Sequence, residues 1–415
     1  MKLKKITTAL AIFLFGMVLL HLVLFWRVRD VIAKGYPDFT TFYMAGTMVR
    51  VGLRHELYDL ASEWRVQQEF APWVSIRQAA LPYMHAPFEA LLFVPLTVLP
   101  YGVAFAVWDG FNLLILLALP YLLRPHLGVL QNVSPLVVFG VELAFFPVIF
   151  VLLQGQDVIL LSLFYSLAFI ALKEDAQGRA GFWLALGLFR FHLIVPFVLV
   201  LFFGRRYRLI TSFIVTALAL AGVSAWLVGW RNLLHYPGYI WWLEQHKSKV
   251  ILTPSQTTNI RGLLDTLLPK RLPATLVLTA VILLSAVVLF LAIRTWGKAG
   301  RSKTGFDIAF SVTLVAAVLV GYHSFIYDLA ALLIPIAVSL GLLVQDGHLS
   351  RYVRLSFVIS LLAIFCTPLY LLLWFRTGHP NVMAVFLLLW FGALAMAAHN
   401  QALERRAAMS QVVKV

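Results

Sequence analysis

Residues 6–26 run for about 21 positions without an acidic or basic side chain other than His21, enough helix to cross roughly 30 Å of hydrocarbon. Comparable apolar segments recur at 101–123, 134–153, 158–172, 181–188, 193–203, 209–230, 274–293, 306–320, 329–343, 355–374 and 382–397. In a bilayer every backbone N–H and C=O must be satisfied within the protein, so such segments fold as helices. The rest of the composition leaves no soluble alternative. Of 415 residues 61% are hydrophobic and 12% charged, about half the charged share of a water-soluble domain. The expectation is an all-α multi-pass membrane protein, one integral membrane domain over 1–415, with about 12 transmembrane helices and structured extracytoplasmic loops. The first apolar run exceeds a cleavable signal core and no small-x-small site follows it directly, so it reads as a retained helix.

Thirty-three Lys and Arg against 18 Asp and Glu give a net charge of +15. The basic residues sit between apolar runs and form no basic patch or RNA-binding signature, which excludes a nucleic-acid partner. They orient the chain instead. Placing both termini and the loops at 124, 173–179, 205–208, 294–303 and 351–354 in the cytoplasm collects 18 of the 33 there, as the positive-inside rule requires. Most of the others fall in two long loops on the opposite face, 27–86 and 231–271. The single Cys366 rules out an internal disulfide and a cysteine-based zinc site. The pair 181–188 and 193–203 is too short for two upright spans and reads as a hairpin of tilted helices or a re-entrant loop.

The 27–86 loop carries apolar residues at helical spacing (Phe39, Tyr43, Met44, Met48, then Leu57, Tyr58, Trp64, Phe70), expected as short amphipathic helices on the bilayer surface. The stretch 87–100 between prolines reads as an interfacial or re-entrant piece. In the second loop Trp230, Tyr236, Tyr239, Trp241 and Trp242 suit an aromatic belt at headgroup level.

Soluble catalytic motifs are missing: no phosphate-binding Gly-rich loop, no His-Glu-x-x-His, no Asp-x-Asp metal pair. Neither nucleotide hydrolysis nor metal-dependent nucleotide-sugar chemistry is expected, and no metal or cofactor. The scarce acids are therefore informative. Asp38 follows the first span and precedes an apolar helix in which Gly46 permits close packing; it reads as a helix N-cap, as a general base at the membrane surface, or as both. His323 and Asp328 cluster with Tyr322 and Tyr327 at one membrane boundary, where ionisable groups are costly and tend to serve a task. The polar break Gln154-Gly155-Gln156-Asp157 reads first as a tight turn. Arg190 and His192 lie between the two short helices and call for an anion: a phosphate, or an internal carboxylate such as Glu142.

These residues resemble the pattern of glycosyltransferase family 87, also described as a DUF2029 domain. The resemblance rests on Asp38-Phe39 with Phe42-Tyr43 and Ala45-Gly46, Leu57-Tyr58-Asp59, Tyr83-x-His85-x-Pro87-Phe88 leading to Pro95-Leu96, Trp108 and Asn112, Gly155-Gln156, Tyr322-His323, and Asp328-Leu329, an ordered series over 38–335. It implies the GT-C fold and a polyprenyl-phosphate-mannose-dependent mannosyltransferase. The hexose, usually mannose, would pass with inversion to an acceptor hydroxyl at the extracytoplasmic face; the sequence leaves the acceptor open between a glycolipid, a lipid-linked glycan of the cell envelope and a protein. By the same resemblance Asp38 is the general base and His323 an important site residue, with Tyr43, Asp59, His85, Gln156, Tyr322 and Asp328 binding substrate or supporting the site. Arg190-Phe191-His192 stands where many relatives have a Lys-Pro pair, which keeps a charge but not the proline's restraint. Phosphate-binding candidates are Arg190, His192, Arg261 and His323, with Lys247 and Lys249 weaker. The competing classes are a transporter or flippase of lipid-linked saccharides, which favours internal repeats and midplane charges, and a non-catalytic scaffold with no need for Asp38.

Overall fold

The computed structural model describes residues 2–245, 254–269, 271–298, 302–345 and 349–412; Lys247 and Lys249 lie outside them. Among the described residues every regular element is helical. By length and composition, eight helices among the described residues are long and apolar enough to cross a membrane, and two further helix pairs, Pro135–Leu143 with Phe146–Gln154 and Arg351–Phe365 with Thr367–Thr377, are so only when taken together, across bends of 70° and 65°. The chain is an all-α multi-pass membrane protein. All the apolar segments of the sequence become helices, but fewer cross in full than the expected twelve. Val158–Lys173 has only 16 residues, and the two short segments follow each other in the apolar stretch Gln177–Phe203 without each crossing in full.

Packing shows that this interrupted element folds back. Ser212 Oγ donates to Gly178 O at 2.7 Å, a Cβ at Gly181 would lie 2.9 Å from Phe213 N, and only Gly204–Arg206 separate Phe203 from the Tyr207–Val228 helix. Both arms thus begin and end at one level, and Gly187–Arg190, a tight 3₁₀ turn between them, forms the apex. That is the hairpin alternative.

The helices divide by what they face. Lys303–Val320 and Tyr327–Val344 are 78% buried and form the protein-enclosed centre, while Thr8–Ala33, Tyr207–Val228 and Ala274–Gly297 are 6–11% buried and leave their leucines and valines for lipid. Lys173 donates to His126 O and pairs with Asp307 at 2.6 Å, and Arg206 lies over Trp296. These contacts gather the basic loops at 124, 173–179 and 205–208 at one end of the bundle. The 27–86 loop caps the other.

That loop is more deeply embedded than amphipathic spacing indicates. In the Phe39–Arg50 helix every residue from Phe39 to Met48 is buried, in part because the 87–98 stretch packs across it. Gly46 allows the approach: a Cβ there would sit 2.9 Å from the Phe93 carbonyl carbon and from Thr97 Cγ2. The Trp230–Gln245 helix leaves Trp230, Trp241 and Trp242 exposed, as a belt requires. Its tyrosines turn inward: Tyr236 Oη donates to Met84 O at 2.9 Å, and Tyr239 Oη lies 3.5 Å from Glu63 Oε1.

Candidate active site

Between the capping loop and the bundle lies a cavity of about 460 Å³, bounded by Asp38, Arg77, His85, Gln154, Gln156, Arg190, His192, His323 and Tyr327 among others. It combines apolar walls with a few converging polar groups, the usual make-up of a ligand site.

Asp38 occupies the N-cap position of its helix but does not cap it. Its backbone is already αR (φ −62°) and its carboxylate makes no cap hydrogen bond. Instead Oδ2 accepts from Gln156 Nε2 at 2.7 Å, while its own N–H donates to Gln154 Oε1 at 3.1 Å. Burial raises the Asp38 pKa, and the Gln156 hydrogen bond, then Arg190, His85 and Arg77, oppose that rise. A carboxylate whose proton affinity is lifted by desolvation suits general-base work.

Gln156 is oriented by valence alone. Arg190 can only donate and a carboxylate only accept, so Gln156 receives the Arg190 Nη2 donor on its oxygen and offers its amide N–H to Asp38. The turn that presents it is fixed by two residues of the family pattern. Trp108 Nε1 donates to Gly155 O at 3.0 Å, and Asn112 Nδ2 to Gln156 O at 3.4 Å. Gly155 has φ +61°, a left-handed conformation that favours glycine. The break is a tight turn and a site element together.

Arg190 finds its anions inside the protein. Nε donates to Asp157 Oδ1 at 2.6 Å and Nη1 lies 3.4 Å from Asp328 Oδ1. The sequence offered Glu142, which is buried elsewhere, in the bent Pro135–Leu143 helix. Asp328 also accepts from Phe325 N at 2.8 Å and faces His192 Nε2 at 3.6 Å. A guanidinium this committed has little left for a substrate phosphate; its effect is to lock Gln156, Asp157 and Asp328 in register.

His323 reaches the cavity from the Gly321–Ile326 segment, which a short piece of the second loop clamps in place. Asn259 Nδ2 donates to Gly321 O at 2.6 Å and Thr258 N to Ser324 O at 2.6 Å. Tyr322 packs edge-on against His323, ring centroids 4.6 Å apart, and the Arg261 guanidinium lies over the Tyr322 ring at 4.0 Å from its centroid. Arg261 therefore stands behind the His323 segment and is not on the cavity wall. Tyr43 and Asp59 are off it too: Tyr43 Oη donates to Leu99 O at 2.8 Å, and Asp59 caps the Leu60–Phe70 helix by accepting from Ser62 N at 2.8 Å. Both hold the capping loop together.

His85 lines the cavity with Nδ1 2.8 Å from Glu89 Oε2 and 3.8 Å from Asp157 Oδ2. Burial, with Arg190 adding to it, pushes its pKa down to about 4, which keeps the imidazole neutral at pH 7. Ligand atoms of His85, Glu89 and Asp157 lie within 4.8 Å of one another, a donor set able to take a divalent cation. The Arg190 guanidinium, 2.5 Å from Asp157, already supplies positive charge there and would repel one.

Of the lining residues, Gln154 and Tyr327 belong to stretches that the sequence marked, the polar break and the His323–Asp328 cluster, without being named as site residues, and Arg77 was missed altogether. Arg77 carries no motif signal, since it merely ends a six-residue helix within the 27–86 loop.

A model of glycosyltransferase family 87 matches residues 83–321, more than half the chain. The matched stretch contains His85, Gln156, Asp157, Arg190, His192 and Arg261; His323 and Asp328 lie just beyond its end, and Asp38 lies well before its start. No curated protein and no solved structure matches the chain.

Proposed function

Because the chain belongs to glycosyltransferase family 87, we propose that it transfers a hexose, mannose in the first instance, from a polyprenyl-phosphate donor to an acceptor hydroxyl at the extracytoplasmic face, with inversion and Asp38 as general base. Family membership favours transfer of a sugar over its transport and leaves a non-catalytic scaffold without support. The observation that carries the base assignment is the Asp38 carboxylate, which does not cap its own helix, borders the cavity and, among the described residues, accepts its side-chain hydrogen bond from Gln156.

In this reading the apolar donor tail stays in the bilayer and only the phosphate and sugar enter the cavity, as the GT-C class implies. The acceptor O–H gives its proton to Asp38 while its oxygen bonds the anomeric carbon. The bond from that carbon to the phosphate oxygen breaks and polyprenyl phosphate departs. One displacement inverts the centre. A phosphate leaves without full protonation, so one base suffices and no acid partner is needed. His323 and His192 face the departing charge, and Arg190 positions Gln156 and through it Asp38.

Purified protein in nanodiscs, given a polyprenyl-phosphate hexose and a glycolipid acceptor, tests this. Wild type transfers the sugar. Asp38→Asn falls by about 10²–10⁴-fold, the range of a lost general base, with unchanged yield of folded protein. Transfer by the Asn variant at the wild-type rate removes Asp38 from the chemistry.

A further inference from the structure

The proposed donor bears a phosphate, and beside His192 and His323 on the cavity wall the arginines expected to receive it are committed elsewhere. Arg190, with its side chain 4% exposed, serves Asp157, Asp328 and Gln156. Arg261 is stacked on Tyr322 and off the cavity wall. The remaining arginine on that wall is Arg77.

Arg77 is the last residue of the Pro72–Arg77 helix, which stops at Gln78 in a left-handed conformation (φ 56°). The helix is fastened to the end of the first span: Trp73 N donates to Lys34 O at 2.9 Å, and Trp73 meets the Tyr36 ring edge-on at 5.4 Å and 89°. Arg77 Nη2 donates to Tyr36 O at 3.1 Å. Its Nη1 is buried without a hydrogen-bond partner, and among the described residues no carboxylate lies within ion-pair distance of it. Asp38 acts on it only as a more distant attracting charge, while burial lowers the Arg77 pKa. A partly desolvated guanidinium with an unmet N–H is costly unless an anion arrives, and its planar fork matches phosphate oxygens.

We propose that Arg77 is the phosphate-binding residue of this cavity, taking a phosphate-ester oxygen of a substrate beside Asp38 after a small swing of its fork. The proposal rests on the transferase reading for the identity of that substrate, but not for the binding itself. The ester belongs either to the lipid-linked donor or to a phosphate-bearing glycolipid acceptor, and kinetics separate the two.

Two measurements on the full-length protein in nanodiscs test it. Binding of a short-chain prenyl phosphate, with inorganic phosphate as a second probe, is read by thermal shift: wild type and Arg77→Lys are stabilised and Arg77→Gln is not. In transfer assays Arg77→Gln raises one KM by about 10- to 100-fold, as expected for a lost charge-assisted hydrogen bond, with kcat little changed and Arg77→Lys partly restored. A rise confined to the donor KM assigns the donor phosphate; one confined to the acceptor KM assigns the acceptor. Equal thermal shifts for wild type and Arg77→Gln, or both KM values unchanged, overturn the proposal. Wild type that binds prenyl phosphate through Arg77 yet transfers no sugar from any lipid phosphate overturns the transferase reading instead.

Discussion

A carboxylate just ahead of a helix ordinarily accepts from the backbone N–H groups two or three residues on. Asp59 does this and Asp38 does not, although the two look alike in sequence, each followed by residues that start a helix. What separates them is Gln156, 118 residues further along, which captures the Asp38 side chain. The Gln156 hydrogen bond favours the ionised form, so its removal raises the Asp38 pKa further. Gln156→Ala therefore shifts the acidic limb of the kcat/KM profile to higher pH, and its rate above that limb stays nearer to wild type than that of Asp38→Asn. A pH–rate series on both variants checks this; a limb that stays in place removes Gln156 from control of the base. The candidate residues themselves were largely legible, because acids and polar breaks are rare in an apolar chain. Their partnerships were not. Arg190 meets Asp157 and Asp328 across 33 and 138 residues, and nothing local in the sequence encodes such a pairing.

Among the elements, length and hydropathy marked each apolar segment, since a helix in lipid has few other ways to satisfy its backbone. They do not report how segments bend or fold back, because that is set by contacts such as Ser212 with Gly178. The Gln154–Asp157 turn shows the same division. Its polar residues marked a break, but its fit beneath Phe39 follows from geometry: a Cβ on Gly155 would lie 2.6 Å from Phe39 Cβ. Gly155→Ala therefore combines that clash with about 1–2 kcal/mol for a left-handed L-residue, and lowers the melting temperature and the transfer rate together. Gly110→Ala is the control, on a helix surface with open space around it, and leaves both unchanged or slightly improved. The junction of the two extramembrane loops is pH-sensitive. Glu63 lies buried between Tyr83 N and Tyr239, and burial raises its pKa to about 8. The folded state thus holds a proton that the unfolded chain releases near pH 4.5. The resulting stabilisation is complete below that value and is lost as pH rises through about 8. Melting curves from pH 5 to 9 show the wild type losing several degrees and Glu63→Gln following a flatter course; parallel curves would place the pH dependence elsewhere.

For the molecule as a whole, charge and site sit at opposite ends. The basic loops at 124, 173–179 and 205–208 come together far from the cavity, while Asp38, Gln156, Arg190 and His323 gather beneath the 27–86 loop. Short basic loops tend to be retained in the cytoplasm, so the proposed function predicts that the cavity opens on the outer side, the side from which its lipid-linked donor would enter. The lone cysteine makes the orientation measurable. In a Cys366→Ser background, single cysteines replace Ser75, exposed beside the cavity, and Asn132, exposed at the basic end. A membrane-impermeant maleimide applied to intact cells labels the Ser75→Cys protein at once and the Asn132→Cys protein only after permeabilisation. The reverse pattern would place the transfer reaction in the cytoplasm and require the donor there, with the geometry of Asp38, Gln156 and Arg190 unaltered.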